Sequence, residues 1–254
     1  MNILLKLVLV IKTIKNFHLA IFDRLGLVHG LLVYKTRNNL FFIARAGTED
    51  IAEIAVVASG SEYPIEKIKL LKKPTIVDLG GHIGTFSVML GKLVADNSRI
   101  FAFEPDKNNY KLLIKNISLN GLDPIIVPHN IAITDYNGKG YLKNVKINND
   151  AYHLDTTASK KPNVRVQTLY DASKVNGIKK IDLLKMDIEG GEYKIFGDKK
   201  TFDYICKNVR YIFIEYHNLD RTLNSAFIRK IIKNKFKIIH HHKSVYTLQN
   251  ITIR

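Results

Sequence analysis

The chain is 254 residues long, 46% hydrophobic and 24% charged, which is enough to bury a sizeable core in one large domain or in a domain with a short appendage. Its single cysteine, Cys206, excludes a disulfide framework and a cysteine-rich zinc site and suits a reducing, cytoplasmic setting. A formal charge of +16, from 39 Lys+Arg against 23 Asp+Glu, would draw nucleic acid, acidic glycans or anionic lipid, although the basic residues are spread as on a solvated lysine-rich surface.

Residues 1–19 read MNILLKLVLVIKTIKNFHL. The apolar run over 3–11 is broken by Lys6 and stopped by Lys12 and Lys15, so it is too short to span a bilayer. It also lacks the charge order and small-residue cleavage site of a secretory signal. What remains is a basic amphipathic helix that packs on its own domain, or docks on a partner or on an anionic membrane surface as a peripheral contact. Residues 31–46 read as two short strands around a turn at 37–39. Residues 48–59 read as a helix with Ile51, Ile54, Ala55 and Ala58 on one face. The chain therefore divides into an accessory segment, 1–63, and a main domain, 64–254.

From Pro74 onward, apolar strands alternate with amphipathic helices. TIVDLGG is a strand and 84–95 a helix; RIFAFEP is a strand, and 107–120 a helix with Tyr110, Leu113, Ile114 and Ile117 at helical spacing. IIVPHNIAI is a third strand. Residues 136–163 form a long polar connection with one strand-like piece, GYLKN, and a connection of that length points to a functional or mobile loop. The alternation resumes with KIDLLKMDIEG as a strand, GEYKIF as a short helix closed by Gly197, and VRYIFIEYH as a strand. A helix over 222–235 shows Leu223, Phe227, Ile228 and Ile231 on one face. FKIIHHH and SVYTLQNITIR close the chain as neighbouring antiparallel strands. The triplet His240, His241 and His242 lies in a strand whose residues alternate between faces, which makes a solvated edge rather than a metal site.

Repeated βα units demand an α/β fold: a doubly wound, mostly parallel seven-stranded sheet covered on both faces, here ending in an antiparallel hairpin. Ligands in such folds sit at the carboxyl ends of the strands. The polar residues expected at those ends are Asp78, Glu104, Asn130, Asp187 with Glu189, and Glu215 with His217.

The turn GGHIG fails the dinucleotide pattern G-x-G-x-x-G, because His82 or Ile83 falls where a glycine is required. It is not a P-loop either. The remaining pattern, acid-x-Gly-x-x-x-Gly with Glu104 one strand later, suits a nucleoside ligand without a pyrophosphate. Gly80 and Gly81 would let the backbone pass close under the ligand, and the helix from Gly84 would turn its amides toward a carboxylate. Glu104 would take both ribose hydroxyls, and Asp78 suits a cationic ligand. S-adenosylmethionine meets these demands.

The segments TIVDLGGHIGTFSVML, FAFEPDKNNYKLLIKNISLNG, HNIAITD, LLKMDIEGGEYKIF and IFIEYH together resemble the successive motifs of FkbM-family methyltransferases. The upstream FFIARAGTEDIAEI and SEYPI resemble the segment that precedes the core in that family. The resemblance covers roughly residues 40–240 and is most specific at KMDIEGGE. It implies a Rossmann-like class I enzyme that uses S-adenosylmethionine and O-methylates sugars or other small-molecule hydroxyls. It would set Asp78, Gly80 and Gly84 at the methionine end of the cofactor, with Phe86 among the contacts. Glu104 would meet the ribose with Pro105 beside it, and Asn130, Ile131 and Ala132 would lie by the adenine. Asp187 and Glu189 would face the transferring methyl. His82 stands where the family commonly has Asn, and Gly81 where it often has Ala. Asp171 falls one place late relative to the family's Thr-Leu-Asp, which leaves its role open.

Methyl transfer from a sulfonium is an in-line displacement in which positioning of the acceptor oxygen supplies most of the rate. A general base still helps an alcohol, and Asp187, Glu189, Glu215 and His217 are the candidates. Asp187, Glu189 and Glu215 could instead hold Mg2+ against an acceptor diol. The acceptor expected is a hydroxyl of a sugar, glycan or other small molecule, in a pocket built by 136–163 and the N-terminal segment. Two alternatives are a nucleic-acid methyltransferase and a non-catalytic basic adapter that kept the fold. The first lacks the Asn/Asp-Pro-Pro-aromatic element and the Pro-Cys nucleophile of base-methylating enzymes. The second leaves the presence of both Asp78 and Glu104 without a purpose.

Overall fold

A computed structural model describes residues 3–146, 149–155, 161–215, 231, 233 and 235–253. It opens with α1 (Ile3–Thr13), α2 (His18–Arg24), β1 (Leu31–Lys35), β2 (Phe41–Arg45) and α3 (Asp50–Ala58). β1 and β2 pair antiparallel as a two-stranded sheet, which leaves both edges with unpaired backbone groups. Side-chain amides close them. Asn16 accepts from the Lys35 amide and donates to the Val33 carbonyl, while Asn116 and Asn120 make the same pair of bonds with Ile43 and Phe41.

The main domain continues with β3 (Thr75–Leu79), α4 (Thr85–Leu93), β4 (Arg99–Phe103), α5 (Lys107–Leu119), β5 (Ile126–His129) and β6 (Ala132–Thr134). Then come β7 (Gly138–Lys146), β8 (Asn149–Asp155), β9 (Val164–Thr168), α6 (Leu169–Val175) and β10 (Ile181–Met186). The chain closes with α7 (Glu192–Gly197), α8 (Lys199–Asn208), β11 (Val209–Glu215), β12 (Phe236–His242) and β13 (Val245–Asn250). The seven-stranded sheet runs β12-β13-β11-β10-β3-β4-β5. Its strands from β11 to β5 pair parallel, and β13 pairs antiparallel with both β11 and β12. This is the expected doubly wound sheet with its terminal hairpin.

Alternate residues of the parallel strands feed two cores, as burial on both faces requires. Ile76, Ile100, Leu183 and Phe213 pack into one cluster, and Val77, Phe101, Leu184 and Ile212 into the other. The first cluster also holds Val10, Ile14, Tyr34, Phe42 and Ile54, so the accessory segment packs into the core of the main sheet. Side chains cap the helices that begin sharply: Asp106 accepts from the Asn108 and Asn109 amides, and Asp198 from the Thr201 amide. Thr168 caps α6 through the Asp171 amide, and the Asp171 carboxylate accepts in return from Thr168 and from Asn137. Those bonds hold its carboxyl below the usual range. Asp171 is thus a structural acid at a helix start.

Several segments differ from the sequence expectation. IIVPHNIAI breaks at Asn130 and Ile131 into β5 and β6, which join different sheets. Residues 136–163 are not a loop: β7 and β8 form a hairpin in a four-stranded sheet ordered β6-β9-β7-β8. The many Lys and Asn residues there hid the two-residue alternation that marks a strand. β9, α6 and α8 had no counterpart in the sequence reading. Most of the helix expected over 222–235 lies outside the described residues. Among the described residues no helix is long and apolar enough to cross a membrane.

Candidate cofactor and acceptor site

A cavity of about 440 Å³ opens at the carboxyl ends of β3, β4 and β10, where the strand order reverses. Gly80 and His82 line it from the turn after β3, Glu104 and Pro105 from the end of β4, and Ile131 and Ala132 from the link after β5. Asp187 and Glu189 line it from the end of β10. Lys6, Glu49 and Glu53 reach it from the accessory segment, and Leu142 and Leu154 from the hairpin. Both segments expected to shape an acceptor pocket therefore contribute to its wall.

The glycine turn is built for close packing within the protein. The Gly80 and Gly81 amides both donate to the Phe103 carbonyl at 3.0 Å, and the Gly84 amide to the Gly81 carbonyl at 2.8 Å. The His82 amide donates to Glu104 Oε2 at 2.8 Å. Four amides thus turn inward, and the turn offers no cradle for phosphate. Gly80 has φ +79°, and a Cβ there would fall 1.8 Å from the Asp187 carbonyl oxygen, so only glycine fits. Its bare backbone lets the turn lie against the end of β10, where Gly80 also lines the cavity. At Gly81 a Cβ would meet nothing nearer than 3.6 Å, so alanine would be accommodated. Gly84 precedes α4 and faces Leu113 in the core.

Other predicted residues also lie away from the cavity lining. Asp78 is fully buried inside the sheet, where Ser87 donates to it at 2.6 Å and the Lys185 ammonium lies 3.4 Å away. Phe86 packs edge-on against Tyr63 at 5.0 Å and near Phe213 at 6.4 Å. The Asn130 amide donates to the Glu104 and Pro105 carbonyls at 2.9 Å each, tying the two strand ends together. Glu215 accepts from Ser244 at 2.9 Å at the end of β11. His217 lies outside the described residues. Among those described, no group of three His, Cys, Asp or Glu side chains is assembled to hold a metal.

Glu104 is 5% exposed and held rigidly. Besides the His82 amide at Oε2, its Oε1 accepts from the Asp106 amide at 2.8 Å and from Asn109 at 3.5 Å. Burial pushes its carboxyl up to about 7, against the lowering pull of His82 and the two amides. His82 has φ +48°, and its ring meets three charged groups of the accessory segment. Nδ1 pairs with Glu53, while Nε2 lies 3.1 Å from Arg45 Nη2 and 3.6 Å from Asp50. Asp50 is itself buried and bound by Arg45 through two side-chain bonds. Burial disfavours the imidazolium, but Glu53, Asp50 and Glu104 outweigh it and raise the pKa to about 9.

Across the cavity, Asp187 Oδ2 accepts from the Tyr63 hydroxyl at 3.2 Å and lies 3.5 Å from the Lys185 ammonium. Burial, then Asp187 and Glu62, keep the Tyr63 phenol protonated, so it acts as a donor. Glu62, next in the chain, is pushed up to about 8 by burial and by the nearby Glu215, Asp187 and Glu53. Glu189 lines the cavity in a left-handed conformation, φ +53°, of the kind that concentrates at functional sites. Tyr63, Lys185, Glu53 and Glu62 were not among the residues picked from the sequence. Lys185 had a signal, since a lysine inside the apolar run of a central strand must find a buried partner. Tyr63 lies in a stretch without periodicity, and only the fold brings its hydroxyl to Asp187.

Chemically, one wall offers a preset carboxylate acceptor and the other an acid held by a phenol and an ammonium, with apolar surface between. That suits a ligand with vicinal hydroxyls and no phosphates. S-adenosylmethionine fits these residues: Glu104 would hold the ribose hydroxyls, Ile131 and Ala132 would flank the base, and the turn's inward amides demand no pyrophosphate.

The profile of the Methyltransferase FkbM domain matches residues 78–238. No curated protein matches the chain. Among solved structures, methyltransferase FkbM from Methylobacillus flagellatus KT is similar at 14% identity with a TM-score of 0.52, covering 78% of this chain and 53% of that one. This chain thus spans about half the length of that protein. Pyrococcus horikoshii TYW2 in complex with MeSAdo is similar at 12% identity and TM-score 0.48, covering 91% and 79%. A tRNA methyltransferase from M. jannaschii is similar at 17% identity and TM-score 0.44, covering 87% and 56%. At these identities the first likeness speaks to the fold alone, and the other two are too loose to add to it.

Proposed function

We propose, from the premise that this chain belongs to the FkbM methyltransferase family, that it transfers a methyl group from S-adenosylmethionine to a hydroxyl of a sugar, glycan or other small molecule. The observation that carries this reading is the pairing of Glu104 on one wall of the cavity with Asp187 on the other, beside a glycine turn whose amides are spent internally.

S-adenosylmethionine, when bound, supplies an electrophilic methyl on a sulfonium. The chain's own residues do the rest. Glu104 accepts from ribose hydroxyls with both oxygens already oriented, so little ordering cost falls on binding. Asp187, steadied by Tyr63 and Lys185, orients the acceptor hydroxyl as an acceptor of its hydrogen bond. The same carboxylate takes the proton along that hydrogen bond as the methyl is transferred. Leu142 and Leu154 exclude water from the acceptor side.

Nucleic acid is the other acceptor class that +16 invites. Yet the cavity is lined by Glu49, Glu53, Glu104, Asp187 and Glu189 against Lys6, His82 and Lys194, so it presents no cationic track for a phosphate backbone. A neutral or cationic acceptor needs no such track.

The test is calorimetric titration with S-adenosylhomocysteine, followed by a methyl-transfer screen over sugars, small alcohols and RNA. Absence of binding heat in the wild type would refute the enzyme reading. Transfer to RNA but to no hydroxyl-bearing small molecule would refute the acceptor class.

A further inference from the structure

α1 is apolar on both its inward and its outward face. Val10 and the adjoining Ile14 are buried, while Leu7, Val8 and Ile11 are exposed beside Lys12 and Lys15. The outward face of a surface helix is ordinarily polar. The same pattern continues along the chain, with Phe22 on α2 exposed, Leu25 and Leu27 exposed at 65% and 66%, and Leu31 and Val33 on the outer face of β1. Ten of the seventeen exposed large hydrophobic residues among those described fall between residues 5 and 33.

These elements share one corner of the molecule. Ile14 bridges to Thr36, Asn16 bonds the edge of β1, and Arg37 donates to the Ile11 carbonyl. The corner is also strongly basic. Between residues 3 and 50 stand Lys6, Lys12, Lys15, Arg24, Lys35, Arg37 and Arg45 against Asp23, Glu49 and Asp50; Lys6 pairs with Glu49 and Arg45 with Asp50, which leaves Lys12, Lys15, Arg24, Lys35 and Arg37. Asp23 is buried, accepting from the Gly47 amide at 2.6 Å and from the Tyr34 hydroxyl at 3.4 Å, so it offsets none of the charge at the surface.

We infer that this corner docks on an anionic lipid bilayer surface, with the exposed leucines and Phe22 entering the headgroup boundary and the lysines and arginines meeting the lipid phosphates. Exposed apolar side chains flanked by cations are what such an interface stabilises. Two copies of the corner would bring like charges together, so charge complementarity favours lipid over self-association. Lys6, on the same helix, lines the cavity, so the docked corner adjoins it.

Vesicle flotation of the full chain tests this, and it needs no methyl acceptor, so it stands apart from the reaction proposed above. The protein should float with phosphatidylcholine vesicles containing phosphatidylglycerol, remain unbound with phosphatidylcholine alone, and release as salt is raised. Leu25→Ser with Leu27→Ser should abolish flotation while the thermal melt is unchanged. Lys12→Gln with Lys15→Gln should lower partitioning by roughly thirtyfold. Failure to float with anionic vesicles, equal binding to neutral ones, or binding untouched by both variant pairs would each overturn the inference. So would a dimer in sedimentation equilibrium that both pairs dissolve, since the corner would then serve a second copy.

Discussion

Lys185 stands directly across the β3–β10 ladder from Asp78, with its ammonium 3.4 Å from an Asp78 carboxylate oxygen while donating to the Gly80 carbonyl at 2.8 Å. Both side chains are buried, and the same ammonium lies 3.5 Å from Asp187 in the cavity wall. Burial works against the charge on Lys185, but Asp78 and Asp187 hold its pKa above the usual lysine range. The pair therefore ties the floor of the glycine turn to the Asp187 wall of the cavity.

Removing one member of a buried pair leaves the other charge unpaired, at about 3–5 kcal/mol. Lys185→Met should lower the unfolding free energy by about that much, and adding Asp78→Asn should recover most of the loss. Urea unfolding of the wild type, the single variant and the double variant measures this. A loss under about 1 kcal/mol in the single variant would mean that the pair does not stabilise the fold.

Glu104 sets a pH dependence for cofactor binding. With its carboxyl at about 7, it is ionised above that pH and can accept from two hydroxyls; below it, one oxygen carries a proton. Affinity for S-adenosylhomocysteine should rise with pH through about 7 and level off. Below that point it should weaken by roughly tenfold per pH unit, as the proton must be lost first. Glu104→Gln should bind more weakly and without this slope. Calorimetry across the range decides it, and a flat wild-type profile would remove Glu104 from the binding role.

The parallel sheet was legible because its strands are apolar on both faces and alternate with helices of clear 3.6-residue period. The place of Glu104 at the cavity was legible because ligands in such folds sit at the carboxyl ends of the strands. The hairpin β7–β8 was not, because its strands carry Lys and Asn in place of an alternating pattern. Asp78 was legible as a residue of the strand before the glycine turn, but its burial against Ser87 and Lys185 was not, because those partners come from α4 and β10. The contacts of Glu53 with His82 and of Tyr63 with Asp187 join positions more than twenty residues apart without any repeating pattern, and only tertiary packing reveals them.

His82 and Glu53 couple the accessory segment to the glycine turn, and the pair should make stability depend on pH. The folded-state pKa of His82, about 9, lies above the unfolded value of 6.5. Its contribution is therefore fully present below the unfolded value and is lost as pH rises through about 9, up to about 3 kcal/mol. Urea midpoints measured from neutral to alkaline pH should fall in the wild type. Both His82→Asn and Glu53→Gln should flatten that fall. Equal slopes in all three proteins would assign the fall to other groups.

Asp187 is the proposed base, and substitution tests that role. It accepts from the acceptor hydroxyl and takes its proton while Tyr63 and Lys185 hold the carboxylate in place. With the acceptor identified by the product screen, Asp187→Asn should lower kcat by about 10²–10⁴ while binding of S-adenosylhomocysteine stays unchanged. Tyr63→Phe should lower kcat by a smaller factor, because the carboxylate remains and loses one of its two holds. Full activity in Asp187→Asn would remove that residue from the proton's path and leave positioning of the acceptor to supply the rate.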